Sequence, residues 1–141
     1  AIQACFDVIS NHPSPHAGNS TVFIPRGTYL IKKTLILTTI LGGMVVGEGE
    51  LTQFVWGGAT GGKMLVSDGC SRSRFVGLVF DGQNKAAVGF EHDAHSPGLF
   101  ETRIRHQNNK FINFQIAGIR IGYNRTGGKK ETSEVCIYTY M

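Results

Sequence analysis

The chain has 141 residues, of which 41% are hydrophobic, 17% are charged and 19 are glycine. This composition excludes a disordered chain, which would be less hydrophobic and more highly charged, and it indicates one domain with many turns. Fourteen basic and ten acidic residues give a net charge of +4, which favours an anionic partner. Because basic and aromatic residues do not alternate, no nucleic-acid partner is expected.

The cysteines and the apolar runs exclude two further classes. Cys5, Cys70 and Cys136 are far apart and form no C-x-x-C pair, so neither a zinc finger nor a disulfide framework is indicated. The longest apolar region, residues 34–46, is interrupted by threonines and glycines and is too short for a membrane span. No membrane partner is therefore expected.

The first ten residues predict a short helix. Ile2, Phe6 and Ile9 recur at helical spacing, with Cys5 beside them, so one face should dock on the rest of the domain. Residues 11–20 contain two prolines and a glycine among small polar residues and predict a loop. No second helix is predicted.

From Thr21 onward the chain has the pattern of successive short strands that end in Gly, Asn, Asp or Ser. The first two meet at Pro25-Arg26-Gly27, where proline fixes φ and glycine can adopt a positive φ, so a sharp corner is expected. The predicted strands are Thr21–Ile24, Thr28–Ile31, Thr34–Thr38, Met44–Val46, Phe54–Trp56, Met64–Val66, Phe75–Phe80, Val88–Phe90, Arg103–Gln107, Lys110–Phe114, Gly118–Ile121 and Val135–Tyr138.

Sandwiches, barrels and β-solenoids are all built from short strands, and an internal repeat in the sequence favours the β-solenoid. Residues 79–81 and 110–112 align at an offset of 31, and a weaker match aligns residues 44–47 with 76–79. The first alignment pairs Val88 with Ile119, Phe90 with Ile121 and His92 with Tyr123. Repeats of this length indicate stacked coils with a shared core, capped at the start by the helix. An uncovered last strand at 135–140 would allow a homo-oligomer.

Four segments, in this order, resemble the opening of pectate-lyase-superfamily proteins. They are Ala1-Ile-Gln-Ala-Cys-Phe-Asp7, Thr21-Val-Phe-Ile-Pro-Arg-Gly-Thr-Tyr-Leu-Ile31, Met44-Val-Val-Gly-Glu-Gly49 and Phe75-Val-Gly-Leu-Val-Phe-Asp-Gly-Gln-Asn84. The Pro-x-Gly-Thr-Tyr corner is the most specific of them, and the resemblance extends over residues 1–122.

The resemblance implies an all-β fold, a right-handed parallel β-helix with a short N-terminal capping helix, in a secreted or extracellular protein that acts on a polysaccharide. Members of this family are commonly much longer. Residues 1–141 are accordingly expected to form a single β-helix domain, compatible with an N-terminal fragment of a longer chain.

The segment Glu91-His-Asp-Ala-His95 is the densest polar cluster. On a strand, Glu91 and Asp93 would point to the same side roughly 7 Å apart, near the carboxylate gap that an inverting glycosidase needs for its water. The alternative is a solvated loop after a strand that ends at Phe90. His92, Asp93 and His95 lack strict metal-ligand spacing, and no acidic cluster has calcium-site spacing, so neither a metal nor another cofactor is expected.

Two further residues have a structural and a functional interpretation. Asp81 follows a strand, and the resemblance makes it a candidate catalytic carboxylate, whereas its Asp-Gly-Gln-Asn context suits a turn with a side-chain cap. Trp56 precedes a glycine-rich stretch and is either a sugar-stacking platform or a core residue.

Cationic side chains concentrate in the last third of the chain. Arg103 and Arg105 share a strand face, and a guanidinium can hold a uronate carboxylate at two points. In lyases of the resembling family, a basic side chain removes the proton beside that carboxylate. The alternative is an ordinary solvated strand face. The candidate substrate-binding residues are Trp56, His92, His106, Lys110 and Arg120.

The sequence thus predicts a carbohydrate-active β-helix protein that cleaves glycosidic bonds of an extracellular, acidic polysaccharide as a lyase or a hydrolase. The candidate catalytic residues are Asp81, Glu91, Asp93, Arg103 and Arg105. The alternative is a non-catalytic module for glycan binding or tailspike-like adhesion.

Overall fold

A computed structural model describes residues 1–10, 21–93 and 101–122, and the backbone of 132–138. The described part contains one α-helix, a single 3-10 turn at Gly49–Leu51 and a series of short strands. These elements are α1 (Ile2–Ser10), β1 (Thr21–Phe23), β2 (Gly27–Ile31), β3 (Leu35–Thr38), β4 (Met44–Val46), β5 (Thr52–Trp56), β6 (Lys63–Asp68), β7 (Arg74–Val76), β8 (Val79–Asp81), β9 (Val88–Asp93), β10 (Glu101–Gln107), β11 (Lys110–Ile112), β12 (Ala117–Ile121) and β13 (Thr132–Tyr138).

The strands form three parallel sheets, each of which takes every third strand of the chain. Sheet I has the order β1-β4-β7-β10-β13, sheet II β2-β5-β8-β11 and sheet III β3-β6-β9-β12. One pass through the three sheets is one coil, and successive coils stack to give a β-solenoid of about three turns. The predicted parallel solenoid with a short N-terminal helix is therefore confirmed.

The core is built from rows of like residues that face inward on successive coils. The clearest row is an aromatic ladder on sheet II, formed by Tyr29, Phe54, Phe80 and Phe111 in register. Consecutive ring centroids in the ladder lie 6.0, 5.2 and 4.9 Å apart. Parallel strands place identical register positions about 4.8 Å apart, so each ring rests on the ring of the next coil.

The helix covers the first coil, as its apolar face predicted. Phe6 is fully buried, and Ile2 and Ile9 pack beside it against the core. The amide of Gln3 pairs with the open edge of β3, since it donates to the carbonyl of Ile36 at 2.9 Å and accepts its N–H at 2.8 Å. The side chain therefore supplies the two hydrogen bonds that a further strand would have made. Cys5, placed beside this face by the sequence, is exposed.

The offset of 31 residues predicted between paired strands is right for sheet II and wrong for sheet III. Val79–Asp81 pairs with Lys110–Ile112 at the expected offset of 31. Phe90, however, pairs with Ile119 rather than Ile121. The chain reaches β12 through residues 113–116, a corner two residues shorter than residues 82–87, which lead into β9.

Other boundaries also differ from the sequence prediction. Met44 pairs with Arg74, so the expected alignment with residue 76 is wrong by two positions. The single strand expected from Phe75 to Phe80 is two strands, because Gly77 adopts a φ of 65° and turns the chain from sheet I to sheet II.

Two predictions concern the loop after the helix and the last strand. The loop at residues 11–20 lies outside the described residues. β13 pairs with β10 and is the last strand of sheet I in the described part of the chain. Self-association through this edge stays a prediction.

Candidate functional site

Four exposed arginines lie together where the chain enters sheet I on two adjacent coils. Arg74 and Arg105 are register partners on β7 and β10. Arg72 donates its N–H to the carbonyl of Thr102 at 2.8 Å, which places Arg103 directly over it. All four side chains are exposed. These residues, Arg72, Arg74, Arg103 and Arg105, are called the arginine array below.

Two of the four residues of the arginine array have a strained backbone. Arg72 and Arg103 have φ values of 54° and 55°. Bridges from Leu41 to Ser71 and from Ser71 to Thr102 show that Gly42, with a φ of 79°, occupies the same corner position on the coil before. Left-handed backbone costs a residue with a Cβ about 1–2 kcal/mol, and glycine is the usual solution. The two arginines therefore occupy positions that local stability would give to glycine or asparagine.

The charges of the array add a second penalty. Like charges opposite each other on adjacent strands, about 4.8 Å apart, repel and destabilise a sheet. Within the described part of the chain, no carboxylate neutralises Arg72, Arg74 or Arg105, whereas other cations do have such partners, for example Arg26 with Glu48 at 2.9 Å. An anion bound between the two coils would relieve the charge repulsion, and its binding would offset the cost of the strained backbone.

Glu91 lies on a different face and is held between two cations. Its Oε1 is 2.5 Å from Lys63 Nζ, and its Oε2 is 2.6 Å from Arg120 Nε and also accepts a bond from Arg120 Nη2. The Glu91 side chain is fully buried, while 27% of Lys63 and 15% of Arg120 are exposed. Both carboxylate oxygens are engaged, so the geometry favours a structural ion-pair cluster over a catalytic acid.

Asp93 ends the same strand. β9 extends through Glu91 to Asp93, so the alternative of a solvated loop after Phe90 is wrong. Asp93 is fully buried and is the register partner of Asp68 on the coil before. Two carboxylates thus follow one another along the outer edge of sheet III. The corner that starts after Asp68 leads to Arg72.

The contacts of three other candidate site residues indicate structural roles. Asp81 accepts the Gln83 N–H at 2.9 Å and a bond from Asn113 Nδ2 at 2.9 Å, as a turn cap does. Trp56 is 4% exposed and donates its ring N–H to the Ala59 carbonyl at 2.9 Å, which supports the core interpretation.

Lys110 is exposed and pairs with Glu50 at 2.9 Å. Such an exposed pair contributes little to stability.

His92 and His106 point into the core and belong to a series of hydrogen-bonded buried side chains, called the polar chain below. Their Nε2 atoms are 2.7 Å apart. His92 Nδ1 lies 2.8 Å from Ser67 Oγ and 3.1 Å from Glu101 Oε2. Glu101 also accepts the Cys70 N–H at 2.8 Å. Neither imidazole faces solvent, so neither contacts a ligand on the outer surface.

Hydrogen bonds between Asn109 and the backbone fix which atoms donate and which accept along this series of buried side chains. Asn109 accepts the Leu78 N–H at 2.9 Å and donates to the Phe75 carbonyl at 2.8 Å, which settles the orientation of its amide. Its NH₂ therefore also faces His106 Nδ1 at 3.2 Å, and that nitrogen must accept. A neutral His106 then donates from Nε2 to His92, whose proton is left on Nδ1 and points to Ser67 and Glu101.

Burial keeps the polar chain uncharged at neutral pH. Desolvation raises the pKa of Glu101 to about 8 and lowers the pKa of His92 to about 3. The pKa of His106 is lowered to about 3, first by burial and then by the nearby His92. The contact between Glu101 and His92 is thus a hydrogen bond between neutral groups rather than an ion pair. Burial, followed by the neighbouring Glu101, also raises the pKa of the Cys70 thiol well above its ordinary value.

Sequence reasoning missed half of the arginine array and part of the buried chain. Arg72 and Arg74 were absent from the predicted site, although Ser71-Arg-Ser-Arg-Phe75 repeats as Thr102-Arg-Ile-Arg-His106 at the offset of 31. That repeat is the signal that could have found them. Ser67, Glu101 and Asn109 carry no comparable signal, since their meeting depends on the register of separate coils.

No group of three His, Cys, Asp or Glu side chains in the described ranges is arranged to hold a metal ion. In the same ranges, no helix is long and apolar enough to cross a membrane. No protein-family model, curated protein or solved structure matches the chain.

Proposed function

We propose that the chain is a carbohydrate-active β-helix module of the pectate-lyase-like type that binds an acidic polysaccharide through the arginine array. The observation that carries this proposal is the pair Arg72 and Arg103, which keep left-handed backbone at a corner where the preceding coil has Gly42. The Pro-x-Gly-Thr-Tyr corner at residues 25–29 supports the family part of the proposal. An extracellular place of action follows from such a ligand.

The chemistry of the array fits carboxylates on a polymer. A guanidinium binds a carboxylate with two parallel hydrogen bonds, and Arg74 and Arg105 present exposed guanidiniums on adjacent coils. The coils repeat about every 4.8 Å, so the positive charges lie in rows along the solenoid axis. A polymer with a carboxylate on each sugar unit presents negative charges in a row of its own, and such a ligand would relieve the repulsion between adjacent arginines.

The test is a binding titration of polygalacturonate, alginate and a neutral β-glucan by calorimetry at two salt concentrations. We expect the acidic polymers to bind and the neutral polymer not to bind, with an affinity that falls as salt rises. The double variant Arg74→Gln/Arg105→Gln should lose tenfold or more in affinity. Lys32→Gln/Lys33→Gln removes the same charge from an exposed corner of the first coil and is the matched control.

Two results would contradict the binding proposal. The first is equal affinity for the neutral and acidic polymers. The second is an equal loss in the arginine and lysine double variants, because general attraction to a basic protein would then explain the binding.

Cleavage of the bound polymer is the second candidate function. The observation that favours it is the half-buried Asp68, which ends β6 just before the corner that leads to Arg72 and has the fully buried Asp93 as its register partner on the next coil. Reducing-end and unsaturated-product assays separate the reaction types. Hydrolysis lost in Asp68→Asn or Asp93→Asn supports a hydrolase, and unsaturated product lost in Arg103→Ala or Arg105→Ala supports a lyase.

Asp81→Asn is the control for these assays, since Asp81 caps a turn. The absence of any turnover, together with saturable binding, would leave the chain a binding module.

A further inference from the structure

We propose that the outer face of sheet I binds a linear acidic glycan lengthwise, across the strands, with Phe23 stacked on a sugar ring at the end away from the arginines. This inference rests on the proposed function, since it concerns the same ligand. Beyond the proposed function, the inference specifies a second contact with the ligand, the direction in which the ligand lies and the minimum length of ligand that reaches both contacts.

The outer faces of the three sheets differ in how far their apolar rows continue. On sheet I, Phe23, Val46 and Val76 are register partners on three successive coils, and they are called the apolar row. On sheet II the row that starts at Leu30 reaches Asp81 on the third coil. On sheet III the row that starts at Ile36 reaches the ion-paired Glu91. In the described part of the chain, sheet I thus has the longest of these three rows.

The apolar row and the arginine array share one face. Arg74 lies on the same strand as Val76, two residues away, so both side chains point outward. From Phe23 to Arg105 the face crosses four strands, from β1 to β10, which is roughly 14 Å at the spacing of parallel strands. A ligand that touches both ends must therefore run along the solenoid axis.

Phe23 has the chemistry of a sugar platform. Its side chain points outward from β1 and 57% of it is exposed. The hydrophobic face of a pyranose ring packs on an aromatic ring, while the hydroxyl and carboxylate groups at its edge stay in water or meet cations. Val46 and Val76, which are half-buried, lead from this platform towards the arginines without presenting a charge.

The test measures affinity against ligand length. Oligogalacturonates from the dimer to the octamer are titrated into the whole chain and into two variants, Phe23→Thr and Leu30→Thr. Leu30 is the matched control because it also points outward from the first coil and is 59% exposed. Threonine is β-branched and therefore suits a strand at both positions, and circular dichroism verifies the fold of each variant.

We expect Phe23→Thr to weaken the binding of the longest oligomers by about tenfold and to leave the binding of the dimer unchanged, which flattens the dependence on length. Leu30→Thr should follow the wild-type curve. If Phe23→Thr follows the wild type at every length while Arg74→Gln/Arg105→Gln weakens all lengths, the lengthwise contact is refuted and the proposed function stands. An equal loss in Leu30→Thr would also refute it. If the wild type binds no oligomer, the proposed function itself fails.

Discussion

Glu101 and the two core histidines make the stability of the protein depend on pH in opposite senses. Burial raises the pKa of Glu101 from 4.5 to about 8, so between these values the folded state holds a proton that the unfolded state has lost. Stability therefore falls as pH rises through that window. The pKa values of His92 and His106 are lowered from 6.5 to about 3, so between these values the unfolded state holds the extra protons and stability rises with pH.

The combined effect is a maximum of stability near pH 6.5. Above it, the free energy of unfolding should fall by roughly 1 kcal/mol per pH unit as the pH rises towards 8. Glu101→Gln should remove this fall, whereas Glu50→Gln, at an exposed position, should keep it. Urea unfolding from pH 5 to 9 provides the measurement. A wild-type stability that stays level from pH 6.5 to 8 would show that Glu101 is ionised in the core.

Arg72 offers a prediction in which stability and binding change in opposite directions. Arg72→Gly places glycine at a φ of 54° and should stabilise the fold by about 1 kcal/mol while it weakens the binding of polyuronates. Arg74→Gly removes the same charge from the strand β7, where glycine lowers stability by about 0.5–1 kcal/mol. Thermal unfolding of both variants separates backbone strain from charge repulsion. If Arg72→Gly were the less stable of the two, the corner would not be strained.

Single residues show where sequence reasoning about the site reaches its limit. Periodicity places Arg105 on the outer side of a strand, and the structure agrees. The same alternation places the adjacent His106 on the inner side of β10, where it is buried, but it does not show that His106 meets His92 from another coil there. Trp56 is a similar case, since its own strand turns the ring inward but the loop that follows supplies the acceptor for the ring N–H, the Ala59 carbonyl.

At the level of elements, Gln3 joins the helix to the solenoid. Gln3→Ala removes the two hydrogen bonds to Ile36 and leaves a strand edge unpaired, so we expect a loss of about 1–3 kcal/mol in the free energy of unfolding. Val8→Ala is the control on the same helix, because 71% of Val8 is exposed. Urea unfolding followed by circular dichroism measures both. Equal stability of the two variants would mean that the apolar face of the helix docks it without help from Gln3.

Most strands and the register of Val79–Asp81 with Lys110–Ile112 could be predicted from the sequence, but the register at the next corner could not. Short β-branched and aromatic runs between turn residues indicate strands, and the offset of 31 identifies the coil. The pairing of Phe90 with Ile119 depends on the length of the corner at residues 113–116. A two-residue difference keeps the same side chains inward, so the hydrophobic pattern is equally satisfied by both registers.

On the scale of the whole molecule, stability should depend on the middle coils, because each coil contacts only its neighbours. Phe80 is fully buried between Phe54 and Phe111 and also contacts Phe90, whereas Phe111 is half-buried. Phe80→Ala leaves a cavity with coils on both sides and should cost about 3–5 kcal/mol. Phe111→Ala loses the same stacked contact but opens towards solvent, so its cost should be clearly smaller. Urea unfolding of both variants tests this order, and equal losses would show that burial is uniform along the ladder.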